Sequence, residues 1–325
     1  MGSGAWGDNF LFTFFEHTQR NHKMALDKVK KKRYEYIFCT TMRDYQKYKD
    51  KFIVPNITFI IMKEPLHLGG MNRYQLEYAY KRERPLIFIS SDNLYSTNIL
   101  DNLANKFYDK IAVCIMSQRM YPEILQGIYA KENYEDAFSP REFLRICLPH
   151  IHQRERRYFM DSYRVTGSYG SLMWPVRDNN VLVGILIRSF HLGIAYSKRP
   201  VPGYGGGWLD SDPFLNKLAN AEEIFMNTDS DNGFCVGLEL YDKTDNGKDD
   251  APILSDMSQI TRCRLGWLGG PVTSVNESLM GFNIAVHSES LDQKWIDLAK
   301  EADNFITNIY NGNIKNKQLM WEMLP

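Results

Sequence analysis

Four short apolar runs alternate with stretches of helical spacing over the first third of the chain, and this alternation constrains the fold more than any other feature. The runs cover residues 34–40, 57–62, 86–89 and 111–116, and helical spacing covers 9–32, 42–51, 70–83 and 96–109. In 9–32 the spacing predicts Phe10, Phe14 and Phe15 on one side, with a basic end (Lys28, Lys30, Lys31, Lys32, Arg33) that reads as a solvated helix terminus. In 96–109 it predicts an apolar face of Ile99, Leu100, Leu103 and Phe107. Runs without polar alternation are buried on both faces. The pattern therefore predicts an α/β fold: one mainly parallel sheet flanked by helices. Ligands of such sheets bind beyond the carboxyl ends of the strands, so polar residues just after a strand are the first candidates for chemistry.

The rest of the chain is less regular. Ser139-Pro-Arg-Glu142 predicts a capping box opening a helix to about His150, and a second, charged helix starts near Gln153. Residues 180–197 alternate as one long or two short strands, and 223–226 and 234–240 read as strands. A polar excursion follows at 242–250. The last helix carries one apolar stripe, Leu291, Trp295, Leu298, Ala299, Ala302, Phe305, Ile306 and Ile309. The expected organisation is a main domain over 1–240 and a C-terminal helical and β extension over 241–325 packed on the same body.

Charge narrows the partners. Lys and Arg total 39, as do Asp and Glu, so the chain lacks the broad basic footprint of a nucleic-acid-binding protein. Five scattered cysteines with no CxxC pair indicate neither a zinc knuckle nor a disulfide framework, which predicts a reducing compartment. With no apolar run of 18 residues and no signal-like start, the expectation is a cytoplasmic protein. Aromatic side chains suit sugar rings, whose C–H faces stack on them, although an ordinary core uses them too.

Two strand ends carry carboxylates. In Pro85-Leu-Ile-Phe-Ile-Ser-Ser-Asp-Asn93 an apolar run meets Asp92 within three residues. A carboxylate there can hold a divalent cation that neutralises a diphosphate leaving group; the competing reading is a helix cap. In Ile224-Phe-Met-Asn-Thr-Asp-Ser-Asp231 a strand again runs into acids, Asp229 and Asp231, and the competing reading is a polar turn completed by Gly233. Asp210 and Asp212 repeat the spacing. Asp229, Asp231 and His191 are expected to converge with Asp92 on one cleft, with a bound metal offsetting the mutual repulsion of the carboxylates. His191, on a strand, is a candidate acid–base group or ligand; His150 and His152 read as local hydrogen-bonding residues. The glycines of 204–207, between His191 and Asp210, are expected to form a flap over the site. Walker, HExxH and GxSxG motifs are absent from the sequence.

In order along the chain, Trp6-Gly7, Phe88-Ile-Ser-Ser-Asp92, Ser139-Pro-Arg-Glu-Phe143, His150-Ile-His152, Trp174, Arg188-Ser-Phe-His191 and Thr228-Asp-Ser-Asp231 resemble a bacterial family of nucleotide-diphospho-sugar glycosyltransferases with a GT-A-like, Rossmann-like fold. The resemblance implies transfer of a sugar from a nucleotide-sugar donor to a glycan or glycoconjugate acceptor, with Mg2+ or Mn2+. It implies that Trp6, Gly7, Ser91, Asp92, Asn93 and Arg188 bind the donor. Asp92, Asp229 and Asp231 would hold the metal, and His191, Asp229 and Asp231 would serve catalysis. A transferase acting on cell-surface polysaccharide can also associate peripherally with the inner face of a membrane. Two departures stand out. Only Met1-Gly-Ser-Gly-Ala5 precedes Trp6, where the family has its first strand. His191 is followed by Leu192-Gly193 rather than by a second histidine and a proline. The alternatives are a non-catalytic glycan- or nucleotide-binding module on a degenerate transferase scaffold, and a metal-dependent hydrolase or nucleotidyltransferase.

Overall fold

The computed structural model describes residues 1–29, 34–63, 68–115, 117–156, 158–161, 171–189, 193–199, 224–239 and 282–321. Among the described residues it is a mixed α/β protein built on four small sheets, three of them with parallel pairs throughout or in part and none of them large. β1 (Gly2–Gly4), β2 (Tyr36–Thr40) and β3 (Ile57–Ile61) are parallel in the order β1-β2-β3. β2 is buried along its whole length, as an unbroken apolar run requires. β4 (Leu86–Ile87), β6 (Ala112–Ile115), β10 (Gly193–Ser197) and β11 (Ile224–Met226) form a second sheet in the order β11-β6-β10-β4. In it β10 is antiparallel to both β4 and β6, and β11 is parallel to β6. A parallel bridge joins Gly2 to Phe88, and the Ile89 amide donates to the Gly2 carbonyl at 2.8 Å.

The short glycine-rich start thus does form a strand. Gly2, Ser3 and Gly4 are all buried, and a Cβ on Gly4 would lie 2.5 Å from Met71 Sδ and 2.6 Å from the Cys39 carbonyl oxygen. Close approach of the neighbouring backbone, not strand propensity, explains the glycine.

Beyond the carboxyl ends of β4 and β6 lies a third sheet, β5 (Asn93–Tyr95), β12 (Cys235–Leu238) and β7 (Ser117–Met120). Its central β12 is antiparallel to β5 and parallel to β7. The fourth sheet is antiparallel, in the order β13-β9-β8, from β8 (Ser171–Asp178), β9 (Val181–Ser189) and β13 (Ile284–His287). Asn179 and Asn180, both at positive φ (46° and 66°), make the tight turn between β8 and β9.

Helices α1 (Asp8–Thr13), α2 (Gln19–Asp27), α3 (Met42–Tyr48) and α4 (Leu68–Lys81) accompany the first strands, and a π turn at Phe14–Thr18 joins α1 to α2. Phe14 is fully buried there, but Phe10 is 57% exposed, so the predicted three-phenylalanine face is not formed. α5 (Ile99–Asp101) runs into a π turn, and Ile99, Leu100, Leu103 and Phe107 are all buried as expected. α6 (Ile124–Tyr129), α7 (Pro140–Cys147) and α8 (Gln153–Arg156) follow. Pro140 opens α7, but the capping box is not made. The Ser139 hydroxyl donates to the Asp136 carbonyl, and Glu142 pairs instead with Lys131 and Arg145. Residues 180–197 divide into β9 and β10, which belong to different sheets. The closing helix α9 (Gln293–Trp321) buries Trp295, Ala302 and Ile306 against the fourth sheet, whereas Leu291 precedes it and is exposed. Among the described residues no helix is long and apolar enough to cross a membrane.

Candidate functional site

Asp92 lies just past the end of β4, in the turn that carries the chain into β5. A polar face of the preceding helical segment fixes that turn. The Thr18 hydroxyl donates to the Ser91 carbonyl at 2.5 Å, and the Asn21 amide bonds both the N–H and the C=O of Tyr95 at 2.7 and 2.9 Å. His22 Nε2 donates to the Asn93 carbonyl at 2.9 Å, and its Nδ1 accepts from the Tyr36 hydroxyl at 3.0 Å. Burial drives the His22 pKa down to about 4, so the imidazole is neutral at physiological pH. Backbone groups that would be orphaned at a strand end are thereby satisfied.

The Asp92 carboxylate is 21% exposed and accepts from Arg119 Nη1 at 2.7 Å and from the Ser90 hydroxyl. Burial opposes its ionisation. The Arg119 charge and the two hydrogen bonds outweigh burial and hold its pKa below the ordinary carboxylate value. Arg119 stands on β7 and is part-exposed, with its own pKa raised chiefly by Asp92. No local signal in the sequence connects these two residues.

Asp229 and Asp231 follow β11. Asp229 caps a short 3-10 turn, Ser230–Asn232, by accepting from the Asp231 amide at 2.8 Å, and Gly233 leaves the turn at φ 128°. The polar turn anticipated as the competing reading is therefore present, and the two carboxylates still lie side by side. The third member is His287, at the end of β13. Its Nε2 is 3.0 Å from Asp229 Oδ1 and its Nδ1 faces the Glu289 carbonyl oxygen at 2.5 Å. Asp229, Asp231 and His287 each present one potential ligand atom, all within 4.8 Å of one another.

Charge at this cluster is already balanced by side chains. Arg141, the residue after the Pro140 that opens α7, grips Asp231 with Nε and Nη2 at 2.7–3.2 Å. Desolvation disfavours protonation of the buried His287, but its bonds to Asp229 and to the Glu289 carbonyl prevail and raise its pKa. The His287 bond in turn lowers the Asp229 pKa. Repulsion between the acids is thus relieved by Arg141 and His287, two side chains that no local sequence pattern links to them.

The remaining candidates separate. β11 runs parallel to β6 and β6 runs in the same sense as β4, so Asp92 and Asp229 do emerge on the same edge. Three strand spacings divide them, however, or about 14 Å at ~4.8 Å each. Within the third sheet Asn93 faces Gly237 and Tyr95 faces Cys235, which leaves Asp92 beside Leu238 and Asp231 beside Asn98, at opposite ends of the ladder. Asp92 is not among the ligand atoms that cluster with Asp229 and Asp231. Trp6 packs against Ile37, Cys39, Met62 and Met71, and the Gly7 amide donates to Asp44 Oδ2 at 2.9 Å. Ser91 is buried and Asn93 begins β5, both held through their carbonyls by α2 and the π turn before it. Arg188 is 2% exposed on β9 and pairs with Asp303 of α9, so its charge is committed within the fourth sheet. His191, residues 204–207, Asp210 and Asp212 lie outside the described residues.

Compared with known protein families and with characterised proteins, the chain matches no family model and no characterised sequence.

Proposed function

We propose that the protein is a glycosyltransferase that moves a sugar from a nucleotide-sugar donor to a glycan or glycoconjugate acceptor, on a GT-A-like scaffold. The observation that carries this reading is the sense and order of the strands. The parallel bridge Gly2–Phe88 aligns β4 with β1, and β10 reverses against both β4 and β6. The first two sheets then read as one series, β3-β2-β1-β4-β10-β6-β11, with only β10 reversed. Chain order turns back between β1 and β4, a switch point at which α/β sheets bind ligands beyond the strands' carboxyl ends. Trp6-Gly7 follows β1 there and Ser90-Ser91-Asp92 follows β4.

In this reading Asp92 accepts from a ribose hydroxyl and the planar Arg119 guanidinium faces the diphosphate. Asp229, Asp231 and His287 make up the cation site, in place of the set with Asp92. Two carboxylates and an imidazole suit Mn2+ better than Mg2+. Once Nε2 releases its proton, the backbone bond at His287 Nδ1 keeps the tautomer in which Nε2 can ligate. Such a cation would supply charge neutralisation for a departing diphosphate. Acceptor deprotonation falls to Asp229 or His191; β10, which follows His191, starts at Gly193 opposite Ile115 on this edge.

One observation favours a second reading, a non-catalytic nucleotide- or glycan-binding module: both carboxylate groups are already neutralised by Arg119, Arg141 and His287. Calorimetry with UDP, GDP and CDP, with and without Mn2+, tests the donor site. Binding of one diphosphate, lost in Asp92→Asn with the fold intact, is expected; absence of binding by all three overturns the transferase reading and leaves a glycan-binding module. Sugar transfer or slow hydrolysis of the matching nucleotide sugar separates the transferase from the module.

A further inference from the structure

A cavity among the described residues lies at the other edge of the sheets. It has a volume of about 590 Å3 and opens beside the amino ends of β2 and β4, against Glu35, Ile37, Pro85 and Leu86. Its size falls within the range that holds a small organic molecule. The floor is aliphatic, from Val29, Ile37, Ala79 and Ile87, and tyrosines 34, 78, 108 and 196 line the walls.

Charge in the cavity is uneven. Glu35 supplies the one carboxylate of the lining; Thr58 Oγ1 and the Tyr78 hydroxyl both donate to its Oε1, at 2.5 and 2.6 Å, and Arg82 lies close enough to stabilise its charge. Two guanidinium groups, Arg82 and Arg84, share the lining. Arg82 lies over the face of Tyr78, 3.7 Å from the ring centroid. Arg84 makes no ion pair among the described residues. Both are placed by the end of α4. Glu83 takes the left-handed conformation at φ 53°, and the Arg84 amide closes the turn by donating to the Ala79 carbonyl at 3.0 Å. A single turn therefore brings two exposed cations to the lining beside the tyrosines.

We infer that this cavity binds a small aromatic anion, a planar ring carrying one carboxylate or sulfonate, with the ring among the tyrosines and the anionic group on Arg82 and Arg84. Aromatic walls accept a ring face, a guanidinium pairs with carboxylate geometry, and the aliphatic floor excludes water. Phosphate-bearing nucleotides share part of this chemistry, but they are also the ligands proposed for the opposite edge, so they are left out of the test.

The test is calorimetric titration with naphthalene-2-carboxylate and indole-3-acetate, each against an uncharged counterpart, 2-naphthol and indole. At least one acid is expected to bind, and its neutral counterpart at least tenfold more weakly. The double variant Arg82→Gln/Arg84→Gln is expected to weaken the acid at least tenfold at an unchanged melting temperature. Asp92→Asn is expected to leave it unchanged. Failure of both acids to bind, equal binding of acid and neutral ring, or full affinity in the double variant overturns the inference. Loss of acid binding in Asp92→Asn would do the same, because it locates the ligand at the carboxyl edge.

Discussion

His287 Nε2 stands 3.0 Å from Asp229 Oδ1 while its Nδ1 faces the carbonyl oxygen of Glu289. Both contacts call for an N–H on the ring, so the geometry favours the imidazolium. A proton between His287 and Asp229 and a cation on the same two atoms are mutually exclusive. The pair is therefore a point where protonation and metal uptake compete.

That competition has a defined pH dependence. The His287 pKa is raised above its unfolded value, so the pair's stabilisation is fully present below the ordinary histidine pKa and is lost as pH rises through the raised one. The stability gap between wild type and His287→Asn, from urea melts at several pH values, should narrow with rising pH. Mn2+ affinity should move the other way and strengthen over the same interval. A gap that widens with pH would contradict the assignment of the proton to His287.

Arg141 and Asp231 give a prediction of opposite signs. The guanidinium occupies both oxygens of Asp231. Asp231→Asn should weaken Mn2+ at least tenfold, whereas Arg141→Ala should strengthen it by freeing a ligand. Either change should alter stability by less than about 1 kcal/mol, because the pair is partly solvated. Manganese titrations followed by electron paramagnetic resonance read both effects.

His22 should confer acid sensitivity. Its pKa is lowered from 6.5 to about 4, mainly by burial. A depressed pKa means that the unfolded chain takes up the proton first, so stability is present above pH 6.5 and is lost as pH falls toward 4. The loss from this group is about 3 kcal/mol over that interval. His22→Gln should be less stable than wild type at pH 7 by about 1–3 kcal/mol, because its bonds to Tyr36 and Asn93 are disturbed. Its stability should nevertheless fall less steeply between pH 6.5 and 4, measured by denaturant melts.

Gly184 allows β9, β13 and α9 to meet. A Cβ there would lie 2.5 Å from Trp295 Cζ2 and 2.8 Å from the Val286 carbonyl oxygen. Gly184→Ala should destabilise the protein by about 1–3 kcal/mol through overpacking. Trp295 also packs edge-on against His287, with ring centroids 5.8 Å apart, so the same change should shift the His287 imidazole resonances in an NMR spectrum.

The sequence by itself determined where several of the strands lie and that carboxylates follow two of them. Apolar runs and helical spacing are local properties, and burial of a run does not depend on which strand becomes its neighbour. Hence β2, β3, β6 and β11, the face of Ile99, Leu100, Leu103 and Phe107, and the buried stripe of α9 were all legible. Only the tertiary structure decided which charges meet. His287 reaches Asp229 across 58 positions and Arg119 reaches Asp92 across 27, and no periodicity encodes either encounter. The strand Gly2–Gly4 was hidden for a related reason: glycine has poor strand propensity, and it is held there by the close approach of Cys39 and Met71. Two acids that both follow a strand look alike in sequence. In the fold, the insertion of β10 and β6 sets the two strands they follow about 14 Å apart, because hydrogen-bonded strands keep a fixed spacing and the order of strands is a choice made by the whole sheet.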